Sequence, residues 1–116
     1  MSGMFADCKC LVSIDLFSFN TLKVESMVKM FFNCFSLVEL NCENFNVSNV
    51  NNMNSMFLNC KNLQELNLTN FTMKNVNDFN NMFLYCNFNV NIITNEGMKN
   101  WLNVNFPDYK NITVVK

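Results

Sequence analysis

The sequence predicts an α/β solenoid of about four right-handed coils, with a parallel sheet on the concave side and short helices on the convex side. The first observation is a period. A Met-Phe pair, with a cysteine three residues later, recurs every 26 residues, at Met4-Phe5 and Cys8, Met30-Phe31 and Cys34, Met56-Phe57 and Cys60, and Met82-Phe83 and Cys86. A period of this length is typical of solenoids, because each repeat buries its apolar face against its neighbours.

The second observation is the pattern that predicts a strand in each repeat. In the repeat that covers residues 37–62, Leu37, Leu40 and Cys42 follow an LxxLxL spacing. The last two positions alternate with Glu39 and Asn41, as the inward and outward faces of a short strand do. Stacked strands of this kind would form the parallel sheet.

The third observation is a helical spacing in the second half of each repeat. The apolar residues are separated there by three and four positions: Val50, Met53, Met56, Phe57 and Cys60. This spacing predicts a half-buried helix. Phe45 would fill the corner before it, and Asn46 and Ser48 are both acceptable N-caps, between which the sequence does not choose.

After Cys86 the pattern changes. Ile92 and Ile93 still favour a strand, Met98, Trp101 and Leu102 give one more apolar helical face, Pro107 ends it, and residues 112–115 favour a final strand. Terminal repeats are often atypical, because they cap the core. We therefore expect one domain over residues 1–116, with repeats over 1–88 and a C-terminal capping element over 89–116.

Composition argues against most catalytic and nucleic-acid functions. The net charge is −1, and the chain has eight lysines but no arginine and no histidine. The basic surface that nucleic acid requires, the commonest general base and the commonest zinc ligand are therefore missing. We expect no enzyme activity, no cofactor, no metal site and no nucleic-acid partner.

The cysteines favour core packing rather than chemistry. Their 26-residue spacing is the repeat length and not a ligand spacing, and cysteine is often a small buried hydrophobe. A zinc site at Cys8 and Cys10 is the less favoured alternative, and disulfides between neighbouring coils stay open. The 25 asparagines tolerate left-handed backbone and bond to the main chain at turns. No apolar stretch approaches the roughly 20 residues of a membrane span, so we expect no membrane insertion.

The outward strand positions are the candidate binding site. Stacking the repeats aligns polar side chains in ladders on the concave sheet face, and the candidate partner-binding residues are Ser13, Asp15, Glu39, Asn41, Glu43, Glu65, Asn67 and Asn91. Glu39 and Glu65 would face each other across adjacent strands, which is mildly destabilising. Such a face is more often solvated without a role, and the functional interpretation is an acidic binding surface for a basic or cationic partner.

The combined pattern resembles a known family. LxxLxL, an aromatic residue and VxxMxxMFxxC, over about residues 1–86, resemble the BspA-like leucine-rich-repeat surface proteins. The resemblance implies a curved leucine-rich-repeat solenoid displayed at the cell surface or outside the cell. It also implies a non-catalytic adhesion or protein-binding module, which would present its concave sheet face to a host or cell-surface protein.

Other interpretations stay open. The chain would alternatively be a structural spacer or a fragment of a longer repeat array, or an intracellular scaffold for a basic partner. The first residues lack the basic and apolar segments of a signal peptide, so a cytoplasmic location is the alternative to the surface. Met1, Met4 and Phe5 would leave an unfinished hydrophobic layer, which predicts either upstream repeats or self-association of two chains at that end.

Overall fold

The computed structural model describes residues 1–115 and contains a four-stranded parallel sheet and one helix. The elements are β1 (Glu39–Asn41), β2 (Glu65–Asn67), β3 (Asn91–Thr94), α1 (Glu96–Asn105) and β4 (Ile112–Val114), and the strand order is β1-β2-β3-β4. The predicted α/β class with a parallel sheet is confirmed. Lys116, the last residue of the predicted capping element, lies outside the described residues.

The register of the sheet follows the sequence period. Leu40 pairs with Leu66 and Leu66 with Ile92, so residues 26 positions apart are neighbours. All three side chains are buried, whereas Glu39 and Glu65, which directly precede the two leucines, are exposed. The alternation predicted from LxxLxL is therefore present in β1 and β2, with the leucines facing the core.

The predicted strand of the first repeat is absent from the structure. Residues 13–16 have no strand pairing, although Val38 N–H donates a hydrogen bond of 3.2 Å to the carbonyl of Val12. Val12 and Phe17, at the two ends of this segment, are exposed. The segment has a neighbour on one side only, where isolated pairing is marginally stable. Ser13 and Asp15 therefore lie beside the sheet rather than in it.

The expectation of a short helix in each repeat is wrong within residues 1–95. These segments form successive turns, closed by bonds such as Met30 N–H to the Met27 carbonyl and Cys34 N–H to the Phe31 carbonyl, both 3.2 Å. Asn46 and Ser48 begin no helix, because the Asn46 carboxamide accepts the Ser48 N–H within a turn.

Left-handed residues explain why these turns are not helical. Two positions per repeat have φ between 55° and 64°: Gly3, Asp7, Lys29, Asn33, Ser55, Asn59, Asn81 and Tyr85. A left-handed residue interrupts a right-handed helix. The intervening N–H groups bond to the next repeat instead, as Phe31 N–H does to the Met56 carbonyl at 2.9 Å. Spacing by three and four thus arose from turns, not from a helix.

Buried side chains repeat the same contacts along the core. The rings of Phe5, Phe31, Phe57 and Phe83 stack with centroids 5.6, 5.7 and 5.5 Å apart. The interplanar angles between neighbouring rings are 6°, 1° and 9°, so the rings are nearly parallel. The core is therefore continuous from one repeat to the next.

The cysteine column lies against this row of rings. The thiol of Cys60 donates to the Phe31 carbonyl at 3.1 Å, and the thiol of Cys86 donates to the Phe57 carbonyl at 2.9 Å. Cys34, Cys60 and Cys86 are buried as predicted, whereas Cys8 is only half-buried. All six cysteines are free thiols, so the open question of disulfides between repeats is answered negatively for residues 1–115.

Asparagine side chains connect the repeats on the surface. Asn70 Nδ2 donates to the Glu43 carbonyl at 2.7 Å, and Asn75 Nδ2 donates to the Ser48 carbonyl at 2.8 Å, each reaching back 27 residues. Asn49 makes the equivalent bond to the Leu22 carbonyl at 2.6 Å. The high asparagine content therefore has a structural use beyond turns.

The C-terminal elements cover the last repeat. The Asn95 side chain caps α1 by accepting the Met98 N–H at 2.9 Å, and the helix ends at Asn105, before Pro107 as predicted. The hydroxyl of Tyr109 donates to the Phe83 carbonyl at 3.0 Å, and the Trp101 ring meets the Phe79 ring edge to face at 4.9 Å. The predicted strands near Ile92 and at 112–115 correspond to β3 and β4.

Candidate functional site

The outward face of β1 and β2 carries the centre of the candidate site. Glu39 pairs directly with Glu65, and Asn41 with Asn67. The leucines between them face the core, so the four polar side chains point to the opposite side of the sheet. We call the eight predicted residues Ser13, Asp15, Glu39, Asn41, Glu43, Glu65, Asn67 and Asn91 the sheet-face site.

Two adjoining cavities lie on this face. The larger, of about 560 Å³, is lined by Ser13, Asp15, Glu39, Asn41 and Glu43 together with Ile14, Leu16, Phe17, Asn44 and Asn70. The smaller, of about 170 Å³, is lined by Glu65 and Asn67 together with Ser13, Ile14, Glu39, Leu40 and Asn41. The structure therefore brings seven of the eight predicted residues together around two connected depressions.

Asn91 is the predicted residue that lies outside both cavities. It pairs with Glu65 in the sheet, and its Oδ1 accepts a hydrogen bond of 3.0 Å from the Thr113 hydroxyl of β4. Its side chain is thus engaged with the C-terminal strand. It extends the polar face but does not line the cavities.

The loop edge of the site is held by side chains that accept backbone hydrogen bonds. Asp15 accepts the Phe17 N–H at 3.0 Å, and Asn41 accepts the Glu43 N–H at 2.9 Å. Asn67 likewise accepts the Thr69 N–H at 3.0 Å. The Asn67 Nδ2 lies 3.4 Å from Glu43 Oε2. Asp and Asn suit these turns, because their short side chains bond their own backbone two residues on. The edge is therefore defined before any ligand binds.

Four carboxylates give this face a negative charge: Asp15, Glu39, Glu43 and Glu65. Lys29 and Lys61 lie elsewhere, with their ammonium groups 5.3 and 5.1 Å from the rings of Phe32 and Phe35. Like charges on adjacent strands repel. A cationic partner would relieve that repulsion.

A family model matches almost the whole length of the chain. The family model described as "Mycoplasma protein of unknown function, DUF285" matches residues 1–112. The chain belongs to the DUF285 family. The match includes all eight residues of the sheet-face site and ends in β4. No curated protein and no solved structure matches the chain.

Five residues that line the larger cavity in this DUF285 protein are outside the predicted site: Ile14, Leu16, Phe17, Asn44 and Asn70. Phe17 is an apolar residue in a column that elsewhere holds Glu43, Thr69 and Asn95. This apolar residue in an otherwise polar column was the sequence signal that could have pointed to Phe17. Asn44 and Asn70 recur 26 residues apart, but only the structure shows that their amides donate to the carbonyls of Phe17 and Glu43.

The arrangement offers acceptors and one aromatic ring rather than a reactive group. Within residues 1–115, no group of three or more His, Cys, Asp or Glu side chains is placed to hold a metal ion. In the same part of this DUF285 protein, no helix combines the length and the apolar character needed to cross a bilayer. The carboxylates and carboxamides suit the recognition of donors and cations.

Proposed function

We propose that this DUF285 protein is a leucine-rich-repeat solenoid of about four right-handed coils, of the BspA-like kind, with the sheet on its concave side and residues 89–116 as its cap. Three regularities support this: the pairing of residues 26 positions apart, the row of parallel phenylalanine rings and the bonds from each turn segment to the next repeat. Solenoids use the concave surface for binding.

We propose that the protein is a non-catalytic protein-binding or adhesion module, which binds through the sheet-face site. The observation that carries the proposal is the direct pairing of Glu39 with Glu65 beside two adjoining cavities. A repulsive pair costs stability. A purely structural face would gain nothing from this repulsion. A binding site would, because a cationic partner is attracted to the two carboxylates and relieves the repulsion between them.

The proposed partner is a basic protein at a host or cell surface, and the proposed location of the chain is the cell surface. The negative charge of the sheet-face site supports a partner with a positively charged surface. The resemblance of the repeats to BspA-like surface proteins supports the location. The proposal needs no cofactor.

The test compares two double variants with equal change in net charge. Glu39→Gln with Glu65→Gln alters the sheet face, and Glu25→Gln with Glu96→Gln alters exposed carboxylates elsewhere. In crosslinking against host-surface extracts, the wild type and the control pair should capture the same basic protein, and the sheet-face pair should lose it. High salt should weaken capture. If the sheet-face pair binds as the wild type does and only melts at a higher temperature, the proposal is wrong.

A second candidate function is self-association through the first repeat. Met4 is 51% exposed, whereas Met30 and Met56 of the same column are fully buried. The Phe5 ring is likewise only partly buried, whereas Phe31 and Phe57 of the same column are fully buried. Sedimentation velocity should then show a dimer that grows with concentration and is abolished by Met4→Glu. A concentration-independent monomer would contradict it.

A further inference from the structure

The larger cavity has an aromatic wall that the acidic character of the face does not explain. Phe17 is 79% exposed and lines the cavity of about 560 Å³. Its equivalents in the other repeats, Glu43, Thr69 and Asn95, are polar. An exposed aromatic side chain that lines a cavity together with several polar side chains is a candidate ligand contact, because ligand pockets combine aromatic and polar linings.

Hydrogen bonds to the backbone N–H and carbonyl of Phe17 hold the main chain of the cavity wall in place. Phe17 N–H donates to Asp15 Oδ1 at 3.0 Å, and the Phe17 carbonyl accepts from Asn44 Nδ2 at 2.5 Å. Asn44 Nδ2 also lies 3.3 Å from the Phe19 carbonyl, and Asn70 Nδ2 donates to the Glu43 carbonyl at 2.7 Å. A site built in advance loses little conformational entropy when a ligand enters.

The chemistry of the lining selects one kind of side chain. Asp15, Glu39 and Glu43 line the same cavity as the Phe17 ring. A guanidinium group is planar, stacks on an aromatic ring and donates in pairs to a carboxylate, whereas an ammonium group is a compact, strongly hydrated charge. The cavity volume lies within the roughly 300–1,000 Å³ of ligand pockets. An arginine side chain, with its flat head and apolar stem, satisfies ring and carboxylates together.

We propose that the larger cavity binds an arginine side chain of the partner protein, with its guanidinium on the Phe17 ring and paired with the carboxylates of Asp15 and Glu43. This inference rests on the proposed function of the sheet-face site. The chain itself contains no arginine, so a second copy of the chain does not supply the ligand. The proposed ligand is therefore an arginine that lies outside this sequence, on a partner protein.

The probe is a short glycine-flanked peptide with a central arginine, matched by peptides with lysine or citrulline at the same position. Binding to the full chain is followed by NMR titration. The arginine peptide should bind about three- to tenfold more tightly than the lysine peptide. The citrulline peptide, which lacks the charge, should not bind measurably.

Two variants locate the binding. Phe17→Leu keeps an apolar side chain but removes the ring, and should weaken arginine-peptide binding about three- to tenfold. Tyr85→Leu removes another exposed aromatic residue, 70% exposed and outside the cavity, and should leave binding unchanged. Melting curves verify that both variants are folded.

The outcomes separate this inference from the proposed function. If arginine and citrulline peptides bind alike, or if Phe17→Leu has no effect, the arginine site is wrong. If capture of the partner is lost in the Glu39→Gln and Glu65→Gln double variant but not in Phe17→Leu, the sheet-face proposal holds and the arginine site is wrong.

Discussion

Each buried cysteine in the 26-residue column joins two repeats through one weak hydrogen bond. Cys34, Cys60 and Cys86 donate to the carbonyls of Phe5, Phe31 and Phe57. Burial raises the pKa of the Cys34 thiol from 9.0 to about 11 and that of Cys86 to about 12, because a thiolate there would lose its hydration. These thiols are therefore protonated donors at neutral pH and poor nucleophiles.

Stability should fall as pH rises above about 9. In the unfolded chain the thiols ionise near 9.0, whereas in the folded chain the raised pKa values keep them protonated up to about 11 for Cys34 and about 12 for Cys86. The unfolded state then binds fewer protons, so the free energy of unfolding decreases by up to about 1.4 kcal/mol per pH unit for each such thiol. Below about pH 8 the thiols should cause no pH dependence.

Urea denaturation measured between pH 7 and about pH 11 checks this expectation. Cys34→Ala should reduce the slope above pH 9, and Cys10→Ala, at an exposed thiol, should leave it unchanged. A free energy of unfolding that stays constant through pH 10 would show that the buried thiols are not held protonated by the fold.

Cys60→Ala should destabilise the protein by about 1–2 kcal/mol, because it leaves a small void and removes the donor to the Phe31 carbonyl. The exposed Cys10→Ala change should stay within about 0.5 kcal/mol of the wild type. Chemical denaturation of both variants measures the difference. Equal effects would mean that the position of the thiol in the core is irrelevant.

The turn segments between strands depend on residues in left-handed backbone. Tyr85, with φ of 64°, occupies a position held by Asn33 and Asn59 in earlier repeats. Asn tolerates this conformation better than an aromatic residue does. The segments hold together because their N–H groups bond to the next repeat, which offsets the local cost.

Tyr85→Gly should stabilise the protein by about 0.5–1 kcal/mol, because glycine removes the left-handed strain of roughly 1–2 kcal/mol while costing some chain entropy. The neighbouring Leu84→Gly is the matched control. Leu84 is 40% exposed and has no positive φ, so glycine there should destabilise by about 0.5–1 kcal/mol. Thermal melting of the two variants should give shifts of opposite sign, and shifts of the same sign would refute the turn argument.

The whole molecule is connected by one row of phenylalanine rings. Phe57 is fully buried and stacks on Phe31 and Phe83, whereas Phe5 is half-buried and stacks on Phe31 at one end of the row. In repeat proteins stability is approximately a sum of terms within and between neighbouring units. A central ring therefore contributes through two interfaces and the terminal ring through one.

Phe57→Ala should cost about 3–5 kcal/mol and lower the melting temperature in a single transition. Phe5→Ala should cost roughly half as much, since part of its ring already meets solvent. Calorimetry and circular dichroism measure both values. Equal costs, or two separate transitions, would contradict a core shared by all repeats.

The sequence by itself determined the period, the positions of β1 to β4 and the polar residues on the outer face of β1 and β2, but it also predicted a strand at residues 13–16 that does not form. These follow from local spacing: LxxLxL places Leu40 and Leu66 on one face whatever surrounds them, and the 26-residue period sets them side by side. The C-terminal helix and the last strand were also predictable, because Pro107 and the change in apolar pattern are local signals.

Only the tertiary structure decided the form of the segments opposite the sheet and the shape of the site. Spacing by three and four suits both a helix and a run of turns, and the hydrogen bonds from Phe31 and its neighbours to the next repeat selected turns. The role of Phe17 in the cavity is visible only in the tertiary structure, because Glu43 and Asn70 from later repeats line the same cavity. The physical reason is that hydrogen bonds and cavities between repeats join residues about 25 positions apart, and a local pattern does not contain them.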